Sequence, residues 1–171
     1  MRETDADSMF LEADDLLSDN KIVEGRDLLL EMLSEYPDYG KAHNHLGWIY
    51  HYKMVNYIKA EKHYRLSIKY SRGFYAGYTN YSYFLIDKGA YKEMITFGEK
   101  ALKIDGVDKG LIYNQMAKAY ELRADYMDAY RLYKKAKINS LRGNYIEEIN
   151  ASLQRLQGKM NFFERMKIIF K

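Results

Sequence analysis

Three observations predict an all-α solenoid, a row of helical hairpins in which each hairpin buries its apolar face against its neighbours. The first is a period. The segments Asn20-Lys21-Ile22-Val23-Glu24-Gly25, Val55-Asn56-Tyr57-Ile58-Lys59-Ala60, Lys88-Gly89-Ala90-Tyr91-Lys92-Glu93-Met94 and Arg123-Ala124-Asp125-Tyr126-Met127-Asp128-Ala129 share one pattern, and their Ile22, Tyr57, Tyr91 and Tyr126 step by 35, 34 and 35 residues. The second is a set of small residues in phase with it: Ala13, Gly47, Ser82 and Ala117 step by 34, 35 and 35, and three positions after each comes a large residue, Leu16, Tyr50, Leu85 or Tyr120. A small residue lets two helices approach closely, and a large neighbour fills the space beside the contact. The third is helical periodicity throughout, with no stretch that alternates as a strand does.

In chain order, the first pair of helices spans about 6–39, with its break at Asp19-Asn20-Lys21 and Pro37 at its end. The second covers 40–74. The third covers 75–109 and turns at Lys88-Gly89-Ala90. The fourth covers 110–142, where the 3.6-residue stretches Tyr113 to Leu122 and Tyr126 to Ile138 flank Arg123-Ala124-Asp125. Each helix is therefore roughly a dozen residues long. After Arg142-Gly143-Asn144, residues 143–171 form a C-terminal segment in which Tyr145, Ile149, Leu153 and Leu156 make one stripe. The last stretch, Lys159 to Lys171, sets Phe162, Phe163, Met166, Ile169 and Phe170 on one face, too much apolar surface to leave in water. It is expected to close the row as a degenerate fifth pair, with a docking helix as the alternative.

Composition fits a folded chain: 171 residues, 47% hydrophobic, 15% aromatic and one proline. With no cysteine, disulfides and thiolate metal sites are excluded. The acidic start carries no apolar run behind a basic n-region, and no later run approaches the ~18 apolar residues of a membrane span, so a cytoplasmic protein is expected. Residues 1–39 carry twelve acids against three bases, and residues 131–171 carry ten bases against three acids. Such polarity either steers an oppositely charged partner or marks two solvated ends.

The repeated residues resemble the tetratricopeptide repeat, whose signature is a Trp-x-x-Leu-Gly-x-x-Tyr helix followed by Ala and Phe in a second helix and then Pro. Leu46-Gly47-Trp48-Ile49-Tyr50 matches the first half, Ala129-Tyr130-Arg131-Leu132-Tyr133-Lys134-Lys135-Ala136 the second, and Gly98-Glu99-Lys100-Ala101-Leu102-Lys103-Ile104-Asp105 the end. Pro37 holds the terminal proline position, where later copies carry Arg72, Gly106 and Leu141. Two departures stand out. The second repeat has an extra residue near Lys53-Met54-Val55, and Gly98 stands where a large aromatic is expected, which calls for a gap or a compensating neighbour.

The resemblance implies a right-handed solenoid of four repeats whose first helices line a concave, peptide-binding groove. Carried over by register, the groove residues are Asn44, Trp48, His51 and Tyr52 from the second repeat, Thr79, Asn80, Tyr83 and Asp87 from the third, and Asn114, Gln115 and Lys118 from the fourth. Asn44, Asn80 and Asn114 offer amides to a peptide backbone, while Trp48, Tyr52 and Tyr83 offer flat apolar surface. The two-carboxylate clamp of chaperone-tail-binding members is not expected, because the corresponding sites include Phe10, Asp14, Ala76 and Asn80.

No glycine-rich phosphate loop, His-Glu-x-x-His or Gly-x-Ser-x-Gly is present, so no enzyme and no cofactor are expected. His43 and His45 point about 200° apart on a helix, which argues against a metal shared with His51 or His63. The tyrosines that could stack nucleic-acid bases, including Tyr50, Tyr57, Tyr64, Tyr91, Tyr120, Tyr126 and Tyr133, fall at packing positions, so no nucleic acid is expected. The expected function is a protein-interaction module, an adaptor or chaperone-like, holding a protein or peptide. Membrane contact is disfavoured. A self-assembling scaffold, joined through the charged ends or the apolar C-terminal helix, is the alternative.

Overall fold

The computed structural model describes residues 2–71, 73–140 and 143–169, with Arg2, Glu3, Thr4, Asn144 and Ile169 described in their backbone only. The described residues form ten helices and no strand: α1 (Arg2–Ser18), α2 (Ile22–Glu35), α3 (Gly40–Trp48), α4 (Tyr57–Tyr70), α5 (Tyr75–Asp87), α6 (Tyr91–Ala101), α7 (Lys109–Leu122), α8 (Tyr126–Asn139), α9 (Gly143–Lys159) and α10 (Phe162–Ile169). The chain divides into two compact units, Met1–Phe84 and Leu85–Lys171. The Arg72 and Leu141 positions, like Phe170 and Lys171, lie outside the described residues.

The sequence period reappears in the backbone at the turn inside each hairpin. Asn20 (φ 62°), Val55 (φ 50°), Gly89 (φ 77°) and Ala124 (φ 63°) are left-handed, and they step by 35, 34 and 35 residues. A left-handed residue after a helix lets the following N–H reach back to an otherwise unpaired carbonyl. Lys21 donates to Leu16 (2.9 Å), Ala90 to Leu85 (2.8 Å) and Asp125 to Tyr120 (2.9 Å). These acceptors belong to the large residues that follow each small one. In the second hairpin Asn56 donates to Tyr50 (2.7 Å), one residue further back. The extra residue is thus absorbed before the turn: Ile49–Lys53 winds as a π-helical turn at the end of α3. Side-chain caps start the next elements, with Asn56 accepting from the Lys59 N–H at 3.1 Å and Asp108 from the Leu111 N–H at 2.9 Å.

In the N-terminal unit the small-residue contact works as its spacing implies. A Cβ on Gly47 would lie 2.6 Å from the ring of Tyr64, which is itself fully buried. Tyr81 and Phe84 stack at 5.9 Å within the same core, and the Tyr64 ring is tilted against both. Pro37 ends the first hairpin, and its carbonyl accepts from His43 Nε2 at 3.0 Å. His43 is buried and meets His63 Nδ1 to Nδ1 at 3.0 Å. Since Nε2 of His43 donates to Pro37, its Nδ1 accepts and His63 donates. Among the described residues no group of three or more histidines and carboxylates could hold a metal ion. Tyr57 departs from the expected core position: it is 36% exposed, because at the first turn of α4 only its ring edge reaches His51 and Phe84. Tyr91 and Tyr126, at the same place in their hairpins, are half-buried.

In the C-terminal unit, α7, α8 and α9 close around Ala117, Ala129, Tyr133, Ala136, Ile149, Leu156 and Met160. The vacancy at Gly98 is filled from α7, where Met116 Sδ lies 2.5 Å from the position a Cβ would take. Flexible methionine suits such an irregular space. Glu121 is buried and ties the three helices together, accepting from Tyr133 (2.8 Å), twice from Arg155 (3.0 Å each) and from Lys159 (2.9 Å).

Helix α10 corrects one expectation. Asn161 and Glu164 cap its start reciprocally, each backbone N–H donating to the other's side chain at 2.9 Å. This fixes the helix so that Ile168 joins the core, while Phe162 and Phe163 are 70% and 75% exposed. The phenylalanines follow the cap directly, before the helix reaches the core.

Candidate functional site

Within the N-terminal unit, α1, α3 and the first part of α5 contribute to one open pocket of ≈ 400 Å³, lined by Asp14, Leu17, Ser18, Asn44, His45, Trp48 and Asn80. Three of the residues inferred from the sequence, Asn44, Trp48 and Asn80, come together here. Asn80 Nδ2 donates to Asn44 Oδ1 at 3.1 Å. The remaining atoms of this amide pair, Asn44 Nδ2 and Asn80 Oδ1, have no protein partner among the described residues. Asn44 is only 4% exposed and lines the pocket.

Asp14 faces them from α1. Its Oδ1 lies 2.9 Å from His45 Nε2, and His45 Nδ1 lies 3.1 Å from the Lys41 carbonyl. Phe10 packs edge-on against the His45 ring at 4.9 Å and holds it in place. Asp14 Oδ2 has no partner among the described residues. Trp48 is half-buried, with Tyr52 at 6.4 Å and the Lys53 ammonium 5.2 Å from its ring.

Asp14 and His45 were legible as lining residues. Asp14, Trp48, Tyr83 and Lys118 occupy one register position, directly after the small residue, and His45, Asn80 and Gln115 occupy another, two before it. Leu17 and Ser18 had no such signal. They line the pocket because α1 ends there.

The other inferred residues are placed differently. Tyr52 is 49% exposed with its ring against His51, and Thr79 and Tyr83 are half-buried on α5. His51 is a correction. It is 4% exposed, edge-on to Phe84 at 5.2 Å, and faces the Tyr64 hydroxyl at 3.5 Å. One turn along a helix returns to the same face, so the residue four after Gly47 inherits the glycine's inward direction. Glu121, four after Ala117, does the same and meets Tyr133.

In the C-terminal unit Asp87 is exposed. Asn114 and Gln115 are each 1% exposed, and Asn114 Nδ2 and both amide atoms of Gln115 have no hydrogen-bond partner among the described residues. Lys118 pairs with Glu148 at 3.3 Å. A second groove, of ≈ 350 Å³, runs between α8 and α10, with Met127, Tyr130 and Ile168 as floor and Arg131, Lys134, Lys135 and Lys167 around it. No described helix is long and apolar enough to cross a membrane.

No protein-family model and no curated protein matches the sequence. Solved structures do. The chain is similar to PilF of Pseudomonas aeruginosa (TM-score 0.78, 15% identity, covering 92% of this chain and 70% of that one). It is similar to PilW, a widely conserved type IV pilus biogenesis factor (TM-score 0.73, 16% identity, 90% and 70% covered). It is also similar to the MamA RS-1 ArsTM double mutant (TM-score 0.69, 13% identity, 95% and 93% covered). These are tetratricopeptide-repeat proteins, and at such low identity the likeness is one of fold. The buried small residue and the left-handed turn, both repeated in register, and these likenesses together give the chain the tetratricopeptide-repeat fold, an all-α solenoid of helical hairpins.

Proposed function

We propose that the chain is a protein-interaction module of the adaptor type, holding an extended segment of a partner across α1, α3 and α5. The observation that carries this reading is the ≈ 400 Å³ pocket to which successive first helices contribute. It offers a half-buried indole beside amide atoms that lack partners, which suits a peptide backbone flanked by side chains. Enzyme chemistry has no comparable support, and the fold is that of typical interaction modules.

Affinity capture from native lysate tests it, comparing the parent with Trp48→Ala and Tyr83→Ala. Each is expected to weaken the natural partner by about 1–3 kcal/mol, as loss of an aromatic anchor does, while the helical spectrum and melting curve stay near the parent. Variants that melt far below the parent would show that these rings serve the core.

A second reading, self-association, is favoured by the exposed Phe162 and Phe163 on α10, the helix that also contributes to the basic α8–α10 groove. Attraction between that groove and the acid-rich N-terminal helices of another copy weakens with salt. Light scattering that is flat from low to high ionic strength and unchanged in Phe162→Ala/Phe163→Ala would remove it.

A further inference from the structure

We infer that the α1–α3–α5 pocket takes an arginine side chain of the bound segment; this rests on the peptide-holding reading and names what that segment carries. Among the described residues no Lys or Arg lines the pocket, and the one carboxylate there, Asp14, has an oxygen without a partner. Asn80 Oδ1 and the Ser18 hydroxyl add two acceptors without partners among the described residues. Leu17 and Ser18 are the last residues of α1, whose last turn carries no basic residue. No side-chain cation therefore offsets the negative end of that helix dipole where it borders the pocket, although the Asp15, Leu16 and Leu17 carbonyls accept from the N–H groups of Asp19, Lys21 and Asn20. Of the nearby lysines, Lys21 pairs with Asp19 at 3.3 Å and Lys53 lies over one face of Trp48.

The choice of guanidinium over ammonium follows from shape. A planar fork donates to Asp14 and Asn80 while stacking on a flat indole, which a compact ammonium cannot do at once. Asn44 Nδ2, the remaining donor, is suited to a backbone carbonyl of the same segment, fixing where the arginine enters.

Trp48 is the only tryptophan in the chain, so its fluorescence reports this pocket alone. The test titrates a blocked pentapeptide with one central arginine, and its citrulline, lysine and glutamate counterparts, into the full chain. Citrulline keeps the shape and removes the charge. The arginine peptide should give a saturable change in Trp48 emission, at least tenfold tighter than citrulline, and Asp14→Asn should weaken it about tenfold. Ser18→Lys, which places a cation at the exposed rim, should block it with the fold unchanged. Equal response to arginine and citrulline, indifference to both variants, or a lysine peptide that binds as tightly would each overturn the arginine assignment. Should that happen while Trp48→Ala still loses the lysate partner, the groove reading stands without the arginine. If Trp48→Ala keeps its partner, the groove reading itself fails.

Discussion

Acidification should loosen the N-terminal unit before the C-terminal one, and the His43–His63 pair is the reason. His63 is pushed down from 6.5 to about 4, first by burial and then by the charges of His43, Lys62 and Lys59. His43 is lowered too, by burial foremost, although its bond to Pro37 opposes the shift. A histidine whose folded value lies below its unfolded one is neutral in the fold while the unfolded chain takes up a proton. Its contribution is complete above pH 6.5 and is lost as pH falls toward 4. For His63 the loss comes to about 2 kcal/mol by pH 5 and about 3 kcal/mol in full. Glu121 acts lower on the scale. Burial alone would raise it, but bonds from Arg155, Lys159 and Tyr133 outweigh that and hold it at about 2, against an ordinary 4.5. Its contribution is present above pH 4.5 and lost between 4.5 and 2. Urea unfolding followed by Trp48 emission, at pH 7.5 and pH 5.0, measures the first window. The parent should lose about 2 kcal/mol between them. His63→Phe keeps an aromatic ring beside Tyr50, stacked at 5.4 Å in the parent, and should lose less than half as much. A parent indifferent to this pH change, or a variant equally sensitive to it, would refute the assignment.

Three other outcomes are expected. Glu121→Gln should cost about 2–3 kcal/mol in urea titrations read by far-UV signal, because Arg155 and Lys159 lose the buried charge they converge on; a change under about 0.5 kcal/mol would show that the exposed cations do not stabilise the α7–α9 contact. Val55→Gly should stabilise by about 0.5–1 kcal/mol, since a β-branched residue at φ 50° and 69% exposed is strained there and packs little, and a lower Tm would contradict this. Gly98→Ala should cost about 1–3 kcal/mol by crowding Met116. Combining it with Met116→Ala should cost clearly less than the sum of the two single changes, the coupling expected of side chains sharing one space.

The hairpins themselves were legible in the sequence because their determinants are local and recur. A small residue at 13, 47, 82 and 117 and a turn residue at 20, 55, 89 and 124 need only the chain's own geometry to become a close helix contact and a left-handed turn. The place of the extra residue was not legible, since a π turn at Ile49–Lys53 and a longer loop after Lys53 satisfy the same count. Nor was the replacement for the missing aromatic at Gly98, because it comes from Met116 on another helix.

For the candidate pocket, register alone grouped Asn44, Trp48 and Asn80, since residues two or three before a small residue and one after it turn toward the same side of the hairpin. It could not separate His51 from them. Whether a polar side chain four residues on faces a ligand or a buried phenol depends on what Tyr64 does with its hydroxyl, and Tyr64 belongs to the opposing helix. The same holds for α10, where five apolar side chains predicted burial and a capping box left Phe162 and Phe163 in solvent. Periodicity determines which residues share a face, because that is a property of one helix. Which face is covered, and which carboxylate or amide is left with an unpaired atom, was decided only by tertiary packing, because burial and hydrogen bonding are properties of two surfaces at once.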